Sequence, residues 1–167
     1  MLYKGLLHHF CMKTEHSHQK MRKHVRVLAQ GTFDVLHAGH LHYLQFAKRQ
    51  GDELIVIIAR DKIVKHVKGH VPMLHEKVRR EMVGALRVVD EAVLGGKRNI
   101  LDKVEEINPN VIVLGYDQRI SIPKLKSDLI ERGISCKIIR APAYKEKMFK
   151  SSLLKKKAAA HYQKTST

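Results

Sequence analysis

The sequence predicts an α/β protein with a doubly wound, parallel, five-stranded sheet in a single domain. Short apolar runs rich in β-branched residues alternate along the chain with segments whose apolar residues recur at helical spacing. The links between these segments are short, which is typical of strand–helix–strand units with right-handed crossovers. The 167 residues suffice for one sizeable core but not for two comfortable ones.

The predicted elements follow one another in a regular order. Strands are expected at five places, which are Val25–Ala29, Leu54–Ala59, Val88–Leu94, Val111–Gly115 and Cys136–Ile139. The second run is apolar throughout, which is typical of a strand buried on both faces. Helices are expected at Leu41–Ala47, Glu76–Leu86, Ile100–Ile107, Ile122–Arg132 and from Ser151 onward. Ligands of such sheets bind beyond the carboxyl ends of the strands, where the strand order reverses.

The predicted domain covers residues 25–160 and is flanked by two extensions. Residues 1–24 carry five irregularly spaced histidines, which favours a disordered or loosely helical extension over a metal site. Residues 161–167 are predicted to form a basic or polar tail. No apolar run approaches the roughly 18 residues that span a bilayer, and no cleavage site follows the N-terminus. We therefore expect a cytoplasmic protein without a membrane partner.

The chain is strongly basic, with 32 Lys and Arg against 16 Asp and Glu and a formal charge of +16. This balance indicates anionic ligands, although it does not by itself identify a nucleic acid. Neither Cys11 nor Cys136 has neighbours at the spacing of a zinc site, so no such site is expected.

Residues 30–42, QGTFDVLHAGHLH, join the first predicted strand to the first predicted helix. A glycine-bearing loop at this place offers free backbone N–H groups and the positive end of a helix to an anion. His37 and His40 bracket the start of that helix and add further hydrogen-bond donors. The chain has neither GxGxxG after the first strand nor GxxxxGK[ST], which disfavours a dinucleotide site and a P-loop. The stretch therefore predicts a phosphate site for a nucleotide of another kind.

The pattern GTFD followed by HAGH, at residues 31–34 and 37–40, resembles the signature of the cytidylyltransferase-like nucleotidyltransferases. The resemblance extends from Val25 to about Leu154 and implies a Rossmann-like nucleotidyltransferase fold. Within this superfamily the chain most resembles the archaeal FAD synthetase group, on segments 59–61, 68–69, 79–81, 89–90 and 115–118. The resemblance implies an enzyme that transfers AMP from ATP to FMN, giving FAD and pyrophosphate. It also implies Mg²⁺ or a similar divalent ion that is held by substrate oxygens more than by the protein.

The resemblance implies two sets of site residues. The expected catalytic residues are His37, His40, Lys68 and Arg79. The expected nucleotide-binding residues are Thr32, Phe33, His37, Ala38, Gly39, His40, Asp117, Tyr144, Ser151 and Ser152. Asp34 is either a loop cap or a ligand of the substrate. Asp117 either contacts the ribose or base or caps a helix, and His42 is expected to be an exposed helix residue.

The last loop departs from the cytidylyltransferases. Residues 140–144, Arg-Ala-Pro-Ala-Tyr, stand where those enzymes carry Arg-Thr-Glu-Gly, which favours ATP over CTP. One alternative is a CTP-dependent transferase that acts on glycerol 3-phosphate or a similar phospho-alcohol. A second is a basic nucleotide- or RNA-binding module on the same fold, but the intact His37 and His40 argue against it, so we expect no nucleic acid partner. Relatives commonly dimerise, so a homodimer is an expectation.

Overall fold

The computed structural model describes residues 23–97 and 99–165. Most of the predicted N-terminal extension, residues 1–22, lies outside the described residues. The strands are β1 (Arg26–Gly31), β2 (Glu53–Ile58), β3 (Glu91–Leu94), β4 (Val111–Leu114) and β5 (Lys137–Arg140). The helices are α1 (Ala38–Lys48), α2 (Asp61–Lys68), α3 (Glu76–Gly84), α4 (Ile100–Ile107), α5 (Ile122–Glu131) and α6 (Ser151–Thr165).

The five strands form one parallel sheet in the order β3-β2-β1-β4-β5. β1 is central and pairs with β2 over its whole length, from Arg26 opposite Glu53 to Gly31 opposite Ile58. The chain builds outward from β1 to β3 and then returns to place β4 on the other side of β1. The strand order therefore reverses between β1 and β4, which opens a crevice above the carboxyl end of β1. The predicted doubly wound fold is confirmed.

Side chains alternate between the two faces of the sheet, and each face has its own hydrophobic core. Val27 and Ala29 of β1 face a core that includes Leu44 of α1 and Val83 of α3. Leu28 points to the opposite core, whose helical members are Val104 and Ile107 of α4 and Leu129 of α5. This period of two, repeated in β2 and β4, explains why those strands have almost continuous apolar sequences.

Helix α2 is absent from the sequence-based prediction, which placed Lys68 in a loop. Its apolar residues Ile63, Val64 and Val67 have helical spacing, but they fall within a single turn of an eight-residue segment and only Val64 is buried. Its first turn is fixed by α3, because Asp61 N donates to Glu76 Oε2 at 2.8 Å and Glu76 N donates to Asp61 Oδ2 at 3.1 Å. Gly69 ends the helix with φ +76°, a conformation that favours glycine.

Most predicted boundaries differ from the structure by one to three residues. Helix α3 ends at Gly84 instead of Leu86, and β3 begins only at Glu91. Helix α6 continues to Thr165 and so includes the start of the predicted tail at residue 161. Among the described residues, no helix combines the length and the apolar character that crossing a membrane requires.

Candidate active site

A cavity of about 810 Å³ lies above the carboxyl ends of the central strands. Four segments line it: the loop from β1 to α1, helix α2 with the residues after it, the loop after β4, and the segment that leads into α6. Most of the predicted site residues line this cavity, namely Thr32, Phe33, His37, Gly39, His40, Lys68, Asp117, Tyr144, Ser151 and Ser152. Ala38 and Arg79 are predicted site residues that do not line it.

Phe33 supports the loop from β1 to α1 from below. Its backbone has φ +50° and its side chain is buried. The ring covers Gly31, where a Cβ would come within 2.7 Å of a Phe33 ring atom, so no side chain fits there without moving the ring. The same ring lies 5.0 Å from the His40 ring and 6.4 Å from the Tyr43 ring, centroid to centroid. Phe33 thus packs between Gly31 and the rings of His40 and Tyr43.

His37 and His40 stack on each other with ring centroids 3.8 Å apart. His37 is the N-cap of α1, because its Nδ1 accepts a hydrogen bond from the His40 backbone N at 3.3 Å. That bond leaves Nε2 of a neutral His37 ring as the nitrogen that carries hydrogen. Gly39 lets these groups pack closely, because a Cβ there would come 3.0 Å from the His37 ring and 3.1 Å from the Phe149 carbonyl oxygen, and both would have to shift by a few tenths of an ångström.

Both imidazoles are held in the neutral form. Burial, and after it the neighbouring His37 and Lys68, lower the pKa of His40 to about 3, although interaction with the Val35 backbone opposes the shift. Burial also lowers the pKa of His37, although the carboxylate of Asp117 opposes this shift. Nδ1 of His40 is buried and has no hydrogen-bond partner among the described residues. Both residues line the cavity, so the pair presents two neutral imidazole rings to it.

Lys68 brings a positive charge to the rim of the cavity. It is the last residue of α2, and its Nζ donates to Thr32 Oγ1 at 3.1 Å. This bond places the ammonium group beside the loop that carries the two histidines. The Lys68 side chain is exposed and lines the cavity.

Arg79 lies under the site, not in it. Its side chain is completely buried, and the guanidinium donates to the carbonyls of Thr32, Ala59 and Leu74. The fourth partner is Asp61 Oδ1, at 2.6 Å. These contacts tie the ends of β1 and β2 to the segment before α3, so the structure does not bring Arg79 to the cavity with the other predicted catalytic residues.

The Asp34 carboxylate accepts hydrogen bonds from the segment before α3 and from α6. Its Oδ1 accepts from the backbone N of Met73 at 2.7 Å and of Leu74 at 3.1 Å, and its Oδ2 accepts from the Lys155 ammonium group. Burial alone would raise the pKa of Asp34, but these hydrogen bonds hold it below its ordinary value. Of the two readings that the sequence left open, the geometry matches the loop cap.

The loop after β4 lines the cavity on its other side. Asp117 is exposed in a turn, and the N-cap of α5 is Ser121, so Asp117 does not cap that helix. Gln118, which the sequence analysis did not select, donates through Nε2 to the Gln30 carbonyl at 2.7 Å. Its Oε1 is buried and has no hydrogen-bond partner among the described residues. Arg140 was also missed; it donates to three carbonyls of residues 115–120 and so positions this loop.

The start of α6 closes the cavity. Ser151 Oγ donates to the Val35 carbonyl at 3.2 Å, which binds this helix end to the loop before α1, and Ser152 is exposed beside it. The Tyr144 ring stacks on His42 at 4.3 Å and lies nearly parallel to Phe149 at 6.1 Å. The expectation that His42 is simply exposed is wrong, because it is half-buried under Tyr144.

The cavity is poor in metal ligands. In the part of the chain that the structure describes, no group of three or more His, Cys, Asp and Glu side chains is placed to hold a metal ion. The cations that line the cavity are Lys68, Arg119, Lys150 and Lys155. Of the two lining carboxylates, Asp34 is already bound by three donors, which leaves Asp117. The residues present do not fit a protein-held metal cage, and they suit a polyanionic ligand.

Comparison with known proteins identifies the family. Residues 28–157 match the cytidylyltransferase-like family. The chain is 52% identical to an FAD synthase of Halalkalicoccus jeotgali over 124 residues, 72% of this chain and 86% of that protein. It is 49% identical to an FAD synthase of Methanosarcina acetivorans over 121 residues, 72% of this chain and 79% of that protein.

Solved structures share the fold of this chain. A crystal structure described as a lipopolysaccharide core biosynthesis protein from Thermoplasma volcanium superposes with a TM-score of 0.71 at 41% identity. It covers 73% of this chain and 99% of that chain. A pantoate-beta-alanine ligase from Francisella tularensis shares only the fold, with a TM-score of 0.56 at 15% identity over 80% of this chain and 68% of that one. The chain belongs to the cytidylyltransferase-like family.

Proposed function

We propose that this protein is an FMN adenylyltransferase, which transfers AMP from ATP to FMN and releases FAD and pyrophosphate. One observation carries the chemistry: the neutral pair His37 and His40 at the start of α1 shares a cavity with Ser151 and Ser152 at the start of α6. Two helix N-termini with hydrogen-bond donors around one cavity suit a triphosphate. The relatives named FAD synthase, at 49–52% identity, support FMN as the acceptor and ATP as the donor.

The reaction needs alignment and charge stabilisation from the protein, without a protein nucleophile. A phosphate oxygen of FMN attacks the α-phosphorus of ATP, and a new P–O bond forms. The bond from the α-phosphorus to the bridging oxygen breaks, and its electron pair leaves with pyrophosphate. Because the attacking phosphate is already an anion, the step requires no general base.

His37, His40 and Lys68 supply that stabilisation. The lowered pKa values keep both rings neutral, so each donates a hydrogen bond to a phosphate oxygen without exchanging a proton. Lys68 releases Thr32 Oγ1 and adds a positive charge as negative charge builds on the transferring phosphorus. Arg79 has a positioning role, since its guanidinium already holds three carbonyls and Asp61.

The nucleotide lies along the side of the cavity formed by β4, β5 and α6. Asp117 accepts hydrogens from the ribose or base, and Tyr144 contacts the nucleotide from the segment before α6. The backbone of residues 38–40 supports the phosphates. The divalent ion enters with ATP on its phosphate oxygens, which accords with the scarcity of metal ligands in the described cavity. A homodimer, a cytoplasmic location and a functional domain at 25–160 stay predictions.

The deciding experiment offers each nucleotide with each acceptor. The protein is incubated with ATP or CTP, each with FMN or glycerol 3-phosphate, and the products are separated by chromatography. FAD and pyrophosphate from ATP and FMN alone are the expected result. Product only from CTP would replace the proposal with the cytidylyltransferase alternative. RNA binding with steep salt dependence and no product in any of the four mixtures would indicate a binding module.

The role of His40 is tested by His40→Ala. We expect turnover to fall by roughly 10²-fold or more, because a donor to the developing charge is lost. The control is His66→Ala on α2, an exposed histidine that does not line the cavity and should leave turnover unchanged. Far-UV circular dichroism verifies that both variants fold. Near-normal turnover of His40→Ala would refute the assigned role.

A further inference from the structure

The proposed position of ATP fills only half of the cavity. With the triphosphate between the two helix starts and the base beside Asp117, ATP occupies the side of β4 and β5. The other half lies above the end of β2, between α2 with the segment after it and the start of α4. A volume of about 810 Å³ is at the upper end of the range for small-molecule sites, which suits two substrates bound together.

This half has an apolar lining, which we call the acceptor lobe. It consists of the side chains of Ile57, Val64, Val67, Pro72 and Ile100. Ile57 and Val64 are buried in the fold, but Val67 is 72% exposed and Ile100 is 39% exposed. Two branched apolar side chains therefore face water at the edge of a cavity that is otherwise rich in cations.

Val67 stands out within its own helix. The other exposed side chains of α2 are Lys62, Lys65, His66, Lys68 and the apolar Ile63, which does not line the cavity. Val64 is the buried side chain of this helix, whereas Val67 is exposed and does not belong to the core. An exposed apolar side chain that lines a cavity gains free energy only when a ligand covers it.

The lobe is cationic at one edge. Lys68 follows Val67 directly and holds its ammonium group 3.1 Å from Thr32 Oγ1, next to the loop that carries the histidines. His70 also lines this edge. The lobe thus matches a molecule with a flat apolar ring system at one end and a phosphate group at the other.

We propose that the acceptor lobe binds the isoalloxazine ring of FMN. The ring lies against Val67 and Ile100, and the ribityl chain carries its phosphate past Lys68 to His40. The proposal rests on the proposed function, which supplies FMN as the acceptor. It assigns Val67 as a residue that determines specificity for an aromatic acceptor over a short phospho-alcohol.

Val67→Gln tests this proposal with no change in charge. FMN binding is followed by its fluorescence in the presence of α,β-methylene-ATP, which occupies the nucleotide side and cannot be cleaved at that bond. We expect the Kd for FMN to rise roughly tenfold, since one branched side chain in an apolar site carries discrimination of this order. Val67→Ile should keep the affinity of the wild type. The matched control is Val78→Gln, an exposed valine of α3 that does not line the cavity.

A ring-free probe separates ring binding from phosphate binding. Ribitol 5-phosphate competes with FMN for the same phosphate position but lacks the ring. Its inhibition constant should be equal in the wild type and in Val67→Gln. A substitution that raised this constant as much as the Kd for FMN would place Val67 at the phosphate and overturn the proposal.

The remaining outcomes distinguish the lobe from the reaction. If the wild type forms FAD and Val67→Gln binds FMN as tightly as Val78→Gln does, the reaction stands and the lobe is refuted. If FMN binding depends on Val67 but no FAD forms from ATP, the lobe is supported and the adenylyltransferase proposal fails. Absence of FMN binding to the wild type would refute the lobe.

Discussion

Arg79 provides the sharpest test of how the site is built. The substitution Arg79→Met removes the guanidinium and keeps most of the volume of the side chain. It leaves the carbonyls of Thr32, Ala59 and Leu74 without this donor, and Asp61 without its cationic partner. All four partners lie around a side chain that is completely buried.

The expected cost follows from these contacts. Removing one partner of a buried ion pair costs about 3–5 kcal/mol of the free energy of unfolding. This is a large share of the roughly 5–15 kcal/mol that stabilises a domain. In Arg79→Lys the charge remains, but a single nitrogen cannot reach carbonyls that the planar guanidinium contacts on three sides. We expect an intermediate loss of about 1–3 kcal/mol for this variant.

Urea unfolding followed by far-UV circular dichroism measures the loss, since the chain has no tryptophan. The control is Arg80→Met, which changes the next residue along α3, an exposed arginine, and should alter the free energy of unfolding by less than about 0.5 kcal/mol. If Arg79 instead contacts the phosphates of ATP, Arg79→Met would unfold like the wild type and raise the KM for ATP selectively. That result would refute the positioning role.

Three further predictions concern the cavity itself. The pKa of His40 is 6.5 in the unfolded chain and about 3 in the fold, so protonation below pH 6.5 favours the unfolded chain. The free energy of unfolding should therefore fall by up to about 1.4 kcal/mol per pH unit below 6.5. His40→Gln should lose this part of the slope in urea titrations at several pH values, and an unchanged slope would contradict it. Tyr144→Leu should raise the KM for ATP roughly three- to tenfold in steady-state assays and leave the KM for FMN unchanged; a rise in the FMN value alone would contradict it. Lys155→Met should slow FAD formation several-fold because it removes the contact between Lys155 and Asp34, whereas Lys156→Met, at an exposed position, should not. Equal rates for the two variants would contradict a role for this contact.

The sheet and its switch point could be predicted because they depend on local patterns. The apolar runs at β2 and β4 are long enough to indicate buried strands, and the loop 31–40 carries its glycines and histidines in one uninterrupted stretch. Helix α2 could not be predicted in this way. Its stability comes from the reciprocal caps with α3, and these join Asp61 to a partner 15 residues away.

The site residues likewise divide into those that a local sequence pattern indicates and those that depend on distant partners. His37 and His40 could be selected because the motif and the helix start coincide in the sequence. The role of Arg79 could not be inferred from the sequence, because its partner Thr32 lies 47 residues away. In addition, an arginine that is buried and an arginine that contacts a phosphate can stand at the same position of the sequence motif. The half-buried stack of His42 under Tyr144 likewise joins two segments that only the fold brings together.

Asp34 explains why the motif joins an acid to two histidines. Its carboxylate holds the segment after α2, through Met73 and Leu74, and holds α6 through Lys155. In the proposed arrangement of the substrates, the first contact holds the wall of the cavity beside FMN, and the second holds the wall beside ATP. The same loop then presents His37 and His40 between these walls. In-line transfer requires the two substrates to keep a fixed distance and direction, and one loop that anchors both walls and carries the donors meets this requirement.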